Sequence, residues 1–522
     1  MIQHKKRIVL FLPHRADPER GEMFSADLLP LELLQIAIGP AAAGYEIVLI
    51  DAMVEPDYVR KVLSACDGAL LFASSCILGY QVYDGYLVAK AVREKHPDLP
   101  IIWGGWFPSV IPEMYLDGGI ADAVGIGQGE ITFMQVVEAL ACGADLAEVP
   151  GLALRRDGKV VYTANQPVVG FDKFGEVPWH LLDYEKYAEQ QVRPSQLKVR
   201  HRFPLPGKWT PQNPPRGFSH FSSFGCPEPC TFCCSPALTG RRWKAIPGAE
   251  LAEEIAELQA RFKFDVLRFQ DANFGVAEKR TKAFCQGLVE RQVAIHWNGT
   301  IEIETIMRYG QDTLDLLEQS RCHLLWLGAE AGTWEMQERI KKNIAIEHIP
   351  LAIGELTRRD IVPGTFWIIG YPGETRESME VTLKQAAAIK HAFPLAGSDV
   401  YPFRPIPGTE DFDAAVKLGY SPPADFRGWG ACFEYKYNSQ NTPIPADIRR
   451  TWQRYNNTAA IYDEYVSEGP RWMRKLLAKT AGWRLRRGEY RFPLEQKLFD
   501  LYVRATGQTQ PAAADYVPAV DA

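Results

Sequence analysis

Along the first 145 residues, short apolar runs alternate with longer stretches in which apolar residues recur at helical spacing. The runs RIVLFLP, YEIVLIDA, GALLFASS, LPIIWGG and ADAVGIGQG are separated by segments such as PLELLQIAIGPAAAG and DGYLVAKAVREKHPD. Strands that alternate with amphipathic helices predict right-handed crossovers and a doubly wound, Rossmann-like parallel sheet. Ligands of such sheets bind beyond the carboxyl ends of the strands. The small residues found there are Ser74, Ser75, Gly104, Gly105, Gly125, Gly127 and Gly129.

Residues 146–215 break this pattern and are predicted to form a linker. A hairpin-like run, LALRRDGKVVYTA, precedes a Pro-rich passage that ends in RPSQLKVRHRFPLPGKWTPQNPPRG. Between Glu189 and Glu228 the chain has six Arg or Lys residues and no acidic residue. Such a segment is either an exposed basic connector or a stretch that faces an anionic ligand between two domains.

Strand and helix patterns alternate again from residue 216 to about residue 420. AELAEEIAELQARFKF has the i, i+3, i+4 apolar spacing of an amphipathic helix, and about six β/α units follow one another. This number suits a partial (β/α)6 barrel of the TIM type, in which chemistry takes place at the C-terminal ends of the strands. Residues 421–522 are predicted to form a small, mainly helical region. The chain is therefore assigned to the α/β class.

Composition and charge then exclude several classes of protein. A chain of 522 residues is long enough for about two to four domains, and 46% apolar with 23% charged residues is typical of a globular protein. The tail TGQTQPAAADYVPAVDA has the composition of a disordered segment. A net charge of −6 gives no reason to expect nucleic acid or membrane as a partner. No apolar run reaches the ~20 residues of a membrane span and no cleavage site follows the N-terminus, so we expect a cytoplasmic protein.

Ten cysteines are few for this length, and four of them lie within nine positions in GCPEPCTFCCSP, residues 225–236. The rest stand singly and are expected to be small apolar residues rather than a disulfide framework: Cys66, Cys76, Cys142, Cys285, Cys322 and Cys432.

Within the cluster, Cys226, Cys230 and Cys233 form a C-x3-C-x2-C motif. A zinc site needs four ligands, normally from two separated pairs, and no second pair is placed to complete this one. A thioredoxin-like C-x-x-C of Cys230 and Cys233 is possible, but it leaves Cys226 unexplained. Three thiolates on one tight loop suit an iron–sulfur cubane with one iron left open for a substrate or a cofactor.

GCPEPCTFCC follows a predicted strand and has an aromatic residue, Phe232, before the third ligand, and in this it resembles the signature loop of the radical S-adenosylmethionine superfamily. In that family the open iron binds S-adenosylmethionine, and an electron from the 4Fe-4S cluster cleaves it to a 5′-deoxyadenosyl radical. The resemblance implies that Cys226, Cys230 and Cys233 are the cluster ligands. Cys234 is then surplus.

Further stretches are similar to the later landmarks of the same family: FQDANF, LGAEAG and FWIIGYPGE. Their implied role is to hold the methionine and adenosine parts of S-adenosylmethionine, although a buried carboxylate at a strand end can also be purely structural. The implied residues are Asp271, Asn273, Glu330, Ile368 and Gly370.

The first domain resembles the cobalamin-binding domain that precedes many of these enzymes. The similarity runs through GALLFASSC, LPIIWGGWFPSVIPE and DAVGIGQGEITF, and includes a serine step followed by a Gly-Gly pair. Glycines there would let the backbone approach the nucleotide tail of the corrinoid. The implied cobalamin contacts are Ser75, Gly104, Gly105, Gly127 and Gly129. A flavodoxin-like sheet without a ligand is the alternative.

The chain departs from the cobalamin pattern at one point. The D-x-H-x-x-G loop, whose histidine ligates cobalt in that family, is absent, and in PHRADPERG the residue His14 lacks the preceding aspartate. The resemblance then implies a cobalt without a protein ligand, next to the loop SSCILGY. A weakly ligated cobalt favours giving up a methyl group.

Together the two resemblances cover about residues 5–140 and 216–412 and imply a class B, cobalamin-dependent radical S-adenosylmethionine methyltransferase. In such enzymes one S-adenosylmethionine methylates cob(I)alamin, and a second gives the radical that removes hydrogen from an unactivated carbon, which then accepts the methyl group. Expected cofactors are a 4Fe-4S cluster, S-adenosylmethionine and cobalamin. Expected partners are a small-molecule substrate and an external flavodoxin- or ferredoxin-like electron donor, with no nucleic acid, for a monomeric enzyme. Candidate pocket residues are Tyr401, Arg404, Trp429 and Tyr435, although for each of them packing is the expected role before contact with a substrate.

Two other functions stay open on the sequence. One is a cobalamin-dependent radical reaction without methyl transfer, such as oxidative cyclisation or ring rearrangement. The other is a corrinoid carrier or electron-transfer module that has no substrate of its own.

Overall fold

The structure is a computed structural model that describes residues 6–15, 28–190, 215–432, 444–462, 471–491, 497–498 and 501. Seven strands form the first sheet: β1 (Arg7–Leu12), β2 (Glu46–Asp51), β3 (Leu71–Ser75), β4 (Ile101–Gly104), β5 (Ala123–Gly125), β6 (Leu152–Arg156) and β7 (Lys159–Tyr162). They lie in the order β2-β1-β3-β4-β5-β6-β7, the first five parallel and the last two antiparallel. The helices of this part are α1 (Leu31–Ala42), α2 (Tyr58–Ala65), α3 (Tyr80–Lys95), α4 (Trp106–Val110), α5 (Pro112–Asp117) and α6 (Glu130–Cys142).

Both faces of this sheet are buried, which explains why its strands read as near-continuous apolar runs. Along β1, Val9 and Phe11 belong to one apolar cluster, and Ile8 and Leu10 belong to a second cluster on the other face. The direction of winding reverses between β1 and β3, and ligands of open α/β sheets bind at such a switch point. The predicted doubly wound sheet is confirmed.

The hairpin-like run of the predicted linker forms β6 and β7, which extend the first sheet. Residues 152–162 therefore belong to that sheet and do not connect two domains. Helix α7 (Tyr184–Gln190) follows, and residues 191–214 of the basic passage lie outside the described residues.

The second sheet is an open barrel of six parallel strands: β8 (Gly217–His220), β11 (Val266–Phe269), β12 (His296–Thr300), β13 (Cys322–Glu330), β14 (Val362–Ile369) and β15 (Gly397–Pro402). Each strand pairs with the next one in this order, and β9 (Ser223–Gly225) pairs separately with β10 (Trp243–Ala245). The helices that follow the strands are α8 (Cys234–Thr239), α9 (Gly248–Phe262), α10 (Glu278–Glu290), α11 (Ile303–Arg308), α12 (Gln311–Gln319), α13 (Trp334–Arg339), α14 (His348–Thr357), α15 (Arg376–Ala392) and α16 (Glu410–Lys417). The partial barrel predicted from the repeated β/α pattern is confirmed.

The main core lies between this barrel and its helices. Alternate residues of the strands, among them Phe269, Trp297 and Trp367, pack into one apolar cluster with helix residues such as Ile255 and Phe284. Phe269 and Phe284 meet edge to face with ring centroids 5.4 Å apart. Because strand side chains alternate between faces, the intervening residues face the concave interior of the barrel.

Both edges of the open barrel are covered. On the β8 side, the Tyr184 hydroxyl of α7 donates to the carbonyl oxygen of Gly217 at 2.9 Å. On the β15 side, α18 (Ala446–Tyr462) lies along the strand, and its Trp452 indole N–H donates to the Val400 carbonyl oxygen at 2.6 Å. Side-chain donors thus occupy strand acceptors that would otherwise be open to another strand.

The region beyond residue 420 is helical, as predicted, but its helices pack against two different domains. Helix α17 (Phe426–Gly430) packs against the first domain, where the Phe426 ring stacks on Tyr86 with centroids 4.5 Å apart. Helices α18 and α19 (Arg471–Arg487) instead pack against α15 of the barrel. The tail predicted to be disordered falls beyond the described residues. Among the helices that can be described, none is both long and apolar enough to cross a membrane.

Candidate active site

The cysteine loop lies between β9 and α8. Gly225, the last residue of β9, has φ +82°. A Cβ there would overlap the carbonyl oxygen of Arg242, which directly precedes the paired strand β10. Glycine is needed for this close approach. Cys226 and Cys230 are 8% and 7% exposed, and Cys233 directly precedes α8. The loop is thus held by main-chain packing at one end and by a helix at the other.

The thiols of this loop interact with one another. Burial raises the pKa of Cys226 to about 11 and raises that of Cys230 still further. The pKa of Cys233 is lowered to about 7, chiefly because its sulfur accepts a hydrogen bond from the Cys234 thiol. The charge of Cys233 adds to the rise in pKa of both Cys226 and Cys230, so the sulfurs share one small region. Cys234 therefore affects the site by favouring the thiolate form of Cys233.

This donor set fits an iron–sulfur cluster better than a single ion. Over the described ranges, no group of three or more His, Cys, Asp or Glu side chains lies close enough together to hold one metal ion. A cubane binds each thiolate at a different iron, so its ligands remain spaced apart, and soft sulfur donors are those that such clusters select. Cys226, Cys230 and Cys233 would hold it and leave its fourth iron open.

Asp271 holds the strand segment that leads into the cysteine loop. Its carboxylate accepts from the backbone N–H of Ser222 at 2.7 Å and from the hydroxyls of Ser222 and Ser223 at 2.5 and 2.7 Å. The guanidinium of Arg280 donates to the carbonyl and hydroxyl oxygens of Ser222 at 3.1 and 2.6 Å. These contacts favour a positioning role for Asp271 over direct contact with a cofactor. Nearby, the buried Asn273 accepts from the N–H of Gly275 at 3.2 Å.

Glu330 ends β13 in an unusual environment. It has φ +61°, a left-handed conformation that is strained for a residue with a side chain. Its carboxylate lies 3.5 Å from Nζ of Lys342, which also lies 2.7 Å from Glu302. Burial raises the pKa of Glu330, while the positive charge of Lys342 opposes this. The same charge opposes the rise that burial causes in the pKa of Cys230, so the buried group of three borders the cysteine loop.

Lys342 and Glu302 were missed by the sequence analysis. They lie in RIKKN and IEIE, where nothing distinguishes them from surface charges, and only the fold brings them to Glu330. The left-handed backbone of Glu330 at the end of β13 would have marked this place as unusual. Backbone angles, however, cannot be predicted from the sequence of this stretch.

The end of β14 also lies close to the cysteine loop. Gly370 has φ +84°, and its N–H donates to Oε2 of Glu374 at 2.6 Å. Ile368 and Phe232 of the cysteine loop pack against the same apolar cluster, and the Phe232 ring lies 5.7 Å from that of Tyr371, a member of this cluster. The structure therefore brings the predicted Ile368 and Gly370 to the cysteine loop through apolar packing.

In the first sheet, Ser75 and Gly104 lie side by side at the ends of β3 and β4. Gly105 has φ +89°, and a Cβ there would lie 2.5 Å from Oγ of Ser75 and 2.7 Å from the carbonyl oxygen of Cys76. A Cβ at Gly104 would meet no atom within 4 Å, and Ile77 on the neighbouring loop is 41% exposed. An open main-chain surface beside an apolar side chain fits a large, flat cofactor such as cobalamin.

The two predicted sites meet at Gly127. Its N–H donates to Oγ of Ser109 at 3.2 Å, and a Cβ at Gly127 would lie 3.5 Å from the carbonyl oxygen of Leu238 in α8. Gly129, two residues on, directly precedes α6. Because α8 follows the cysteine loop, this contact brings the ligand-binding edge of the first sheet next to the cluster loop.

The remaining candidates lie elsewhere. The backbone N–H of His14 donates to Oδ2 of Asp84 at 2.7 Å, and its ring meets Tyr80 edge on. Arg404 donates to the carbonyl oxygen of Cys432. Trp429 is 3% exposed in the core of the first domain, and Tyr435 lies outside the described residues.

A doubly wound sheet whose ligand edge adjoins a three-cysteine loop on an open barrel is the architecture of a two-domain radical enzyme. Residues 22–137 match the family model of the B12 binding domain, and residues 221–386 match that of the Radical SAM superfamily. The chain belongs to the cobalamin-dependent radical S-adenosylmethionine enzymes. Its cofactors are a 4Fe-4S cluster, S-adenosylmethionine and cobalamin.

Similar proteins carry several activities. An uncharacterized methyltransferase of Pyrococcus horikoshii is 25% identical over 349 residues, 66% of this chain and 70% of that protein. The anaerobic magnesium-protoporphyrin IX monomethyl ester cyclase of Synechocystis sp. is 24% identical over 383 residues, 72% of this chain and 71% of that protein. The structure of TsrM, a radical S-adenosylmethionine methyltransferase from Kitasatospora setae with cobalamin and a 4Fe-4S cluster bound, matches with a TM-score of 0.61 at 15% identity. The match covers 91% of this chain and 99% of TsrM, and at this identity it concerns the fold.

Substitutions at the adjacent residues Gly104 and Gly105 should distinguish an effect on cobalamin binding from an effect on the stability of the first domain. Gly104→Val should leave the melting temperature nearly unchanged but lower the cobalamin content, because the added methyl groups enter open space where the cofactor would lie. Gly105→Val should lower both, because positive φ alone costs about 1–3 kcal/mol and the side chain would meet Ser75. Thermal melts and the visible absorption of bound cobalamin measure the two effects. A Gly104→Val protein with full cobalamin content would argue against the placement of the cofactor.

Proposed function

We propose that this chain is a cobalamin-dependent radical methyltransferase that transfers a methyl group to an unactivated carbon of a small-molecule substrate. The observation that carries the proposal is the packing of α4, at the ligand edge of the first sheet, against α8, together with the closeness of Gly127 to Leu238 of α8. When bound, the cofactors supply a hydrogen-abstracting radical and a transferable methyl group. Removing hydrogen from such a carbon is beyond acid–base chemistry near neutral pH.

The residues of the chain position these groups. Cys226, Cys230 and Cys233 would ligate the cluster, and the Asp271–Ser222 contacts fix the direction from which their loop emerges. Burial of Cys226 and Cys230 limits the access of solvent to the site, which reduces side reactions of a reactive intermediate. The six single cysteines are spread over the chain, so we infer that the electron comes from an external flavodoxin- or ferredoxin-like protein.

A radical reaction without methyl transfer is the second candidate. It is favoured by one observation, the similarity to the Synechocystis cyclase over 72% of this chain. The two candidates share all three cofactors and differ in the product and in whether S-adenosylhomocysteine is formed.

Product analysis distinguishes them. The purified, reconstituted enzyme is incubated anaerobically with a low-molecular-weight extract of its source cells, a reductant and S-adenosylmethionine that carries a deuterated methyl group. Methyl transfer predicts a new compound that is one labelled methyl group heavier than a consumed one, with S-adenosylhomocysteine and 5′-deoxyadenosine both formed. Formation of 5′-deoxyadenosine and an unlabelled product, without S-adenosylhomocysteine, would instead establish the second candidate.

A further inference from the structure

The concave face of the barrel has two unlike walls. Along the strands, Leu267, Phe269 and Trp297 pack outward against the helices, so the residues between them face the interior. Among these interior residues, polar side chains lie on or just after β11 and on β12, and each of β13, β14 and β15 contributes one aromatic side chain. The interior side chains that matter here are Arg268, Gln270, Asn298, Trp326, Phe366 and Tyr401.

The aromatic wall is a continuous surface. The rings of Trp326 and Phe366 stack with centroids 5.0 Å apart and planes inclined by 13°, and the ring of Tyr401 lies 5.9 Å from that of Phe366. Trp326 lies flat over β14 because the residue opposite it is Gly364, where a Cβ would overlap the indole. Because Trp326 and Phe366 stack on each other, the wall offers a preformed aromatic face on which another planar group can stack.

The polar wall has hydrogen-bonding groups without partners. Arg268 and Asn298 lie opposite each other in the register of β11 and β12. Asn298 is only 7% exposed, yet its Oδ1, like the buried Nε2 of Gln270, has no hydrogen-bond partner within the described part of the chain. Arg268 is half-buried, and its guanidinium group forms no hydrogen bond or ion pair with any residue that the structure describes. Asp399, an acidic residue of the same interior, already has an interaction of its own.

Leaving such groups unpaired costs about 1–3 kcal/mol each, so their retention points to a ligand that satisfies them. The aromatic wall also lies deeper than the cofactor landmarks of its own strands. Trp326 precedes Glu330 by four positions and Phe366 precedes Gly370 by four, which is about 13 Å along a strand. On the polar wall, Gln270 directly precedes Asp271, so the space between the walls extends from the barrel interior up to the rim that carries the cysteine loop.

We propose that the barrel interior binds a substrate with a flat, conjugated body and an acidic group. The body stacks on Trp326 and Phe366, the anion pairs with the guanidinium of Arg268, and Gln270 and Asn298 bond its polar edge. A planar arginine suits a carboxylate or a phosphate in two-point contact. This assignment rests on the proposed function only in taking the bound molecule to be the substrate.

Three probes test the assignment by calorimetry: naphthalene-2-carboxylate, its uncharged amide, and cyclohexanecarboxylate. The protein carries its cluster and is saturated with cobalamin and S-adenosylmethionine, and no reductant is added. We expect the naphthoate to bind at least tenfold more tightly than either other probe. Because no radical forms, this result does not depend on whether a methyl group is later transferred, which the product analysis decides separately.

Variants assign the effect to the two walls. Arg268→Met should weaken naphthoate binding at least tenfold, about 1.4 kcal/mol, and leave binding of the amide unchanged. Phe366→Leu should weaken both naphthalene probes and not the cyclohexane one. Arg261→Met, which removes an exposed arginine on the outer helix α9, is the matched control and should change nothing.

Retained binding of S-adenosylmethionine shows that each variant is folded. The assignment is overturned if wild-type protein binds none of the probes or does not prefer the naphthoate. It is also overturned if Arg268→Met, folded and able to bind S-adenosylmethionine, keeps that preference.

Discussion

Cys226→Ala, Cys230→Ala and Cys233→Ala should each abolish the visible absorption of the reconstituted cluster and all formation of 5′-deoxyadenosine. A site of three thiolates would have no ligand to spare, because its fourth iron would be left for S-adenosylmethionine. Absorption spectra, iron content and anaerobic turnover with a strong reductant measure the loss. The magnitude expected is complete loss, since no residue of the loop other than Cys234 carries a thiol.

Cys234→Ala is the matched control. Its thiol donates to Cys233 and so lowers the pKa of that thiol, but an iron bound to Cys233 would itself hold the sulfur as the thiolate. We expect a full complement of iron and only a modest change in the rate of cleavage. Loss of the cluster in Cys234→Ala, together with its survival in one of the other three variants, would show that the ligands are wrongly assigned.

Lys342→Met should lower the free energy of unfolding of the barrel by about 3–5 kcal/mol, the usual effect of removing one partner from a buried ion pair. Lys342 is 6% exposed and lies between Glu302 and Glu330, which are 13% and 9% exposed. Its loss leaves two carboxylates buried without a counter-charge, whereas methionine fills nearly the same volume. Urea unfolding of the cofactor-loaded protein, followed by circular dichroism, measures the change.

The neighbouring residue provides a sharp comparison. Lys341 is 48% exposed and pairs with Glu410 on the surface, so Lys341→Met should change the free energy of unfolding by less than about 1 kcal/mol. If the two lysine variants unfold at the same urea concentration, the buried group of three charges does not stabilise the barrel as argued.

Local patterns were enough to predict the strands, the helices and the class of fold. Apolar runs such as RIVLFLP form strands because both faces of the first sheet are buried, and a run of that kind has few other stable arrangements. The cysteine spacing likewise lies within one loop, so its chemistry could be interpreted without knowing the fold. What each candidate residue contacts could not be predicted in this way.

The contacts that escaped prediction join residues far apart in the chain. Asp271 was expected at a strand end and is there, but its bonds to Ser222 and Ser223 arise only when β11 lies beside β8. Helix α17 was grouped with the C-terminal region because it follows the barrel, yet its aromatic residues complete the core of the first domain. Which distant segments pack together depends on the packing of the whole fold, and no short stretch of sequence is enough to predict it.

The covering of β15 by α18 has a consequence for the order of events during synthesis. The barrel strands end at Pro402, whereas the helix that occupies the acceptors of β15 ends only at Tyr462, 60 residues later. At roughly 5–20 residues per second, the ribosome needs about 3–12 s to supply it. For that time the nascent barrel presents an unpaired strand, and a chaperone that shields it would protect the chain from pairing with its neighbours on the same messenger RNA.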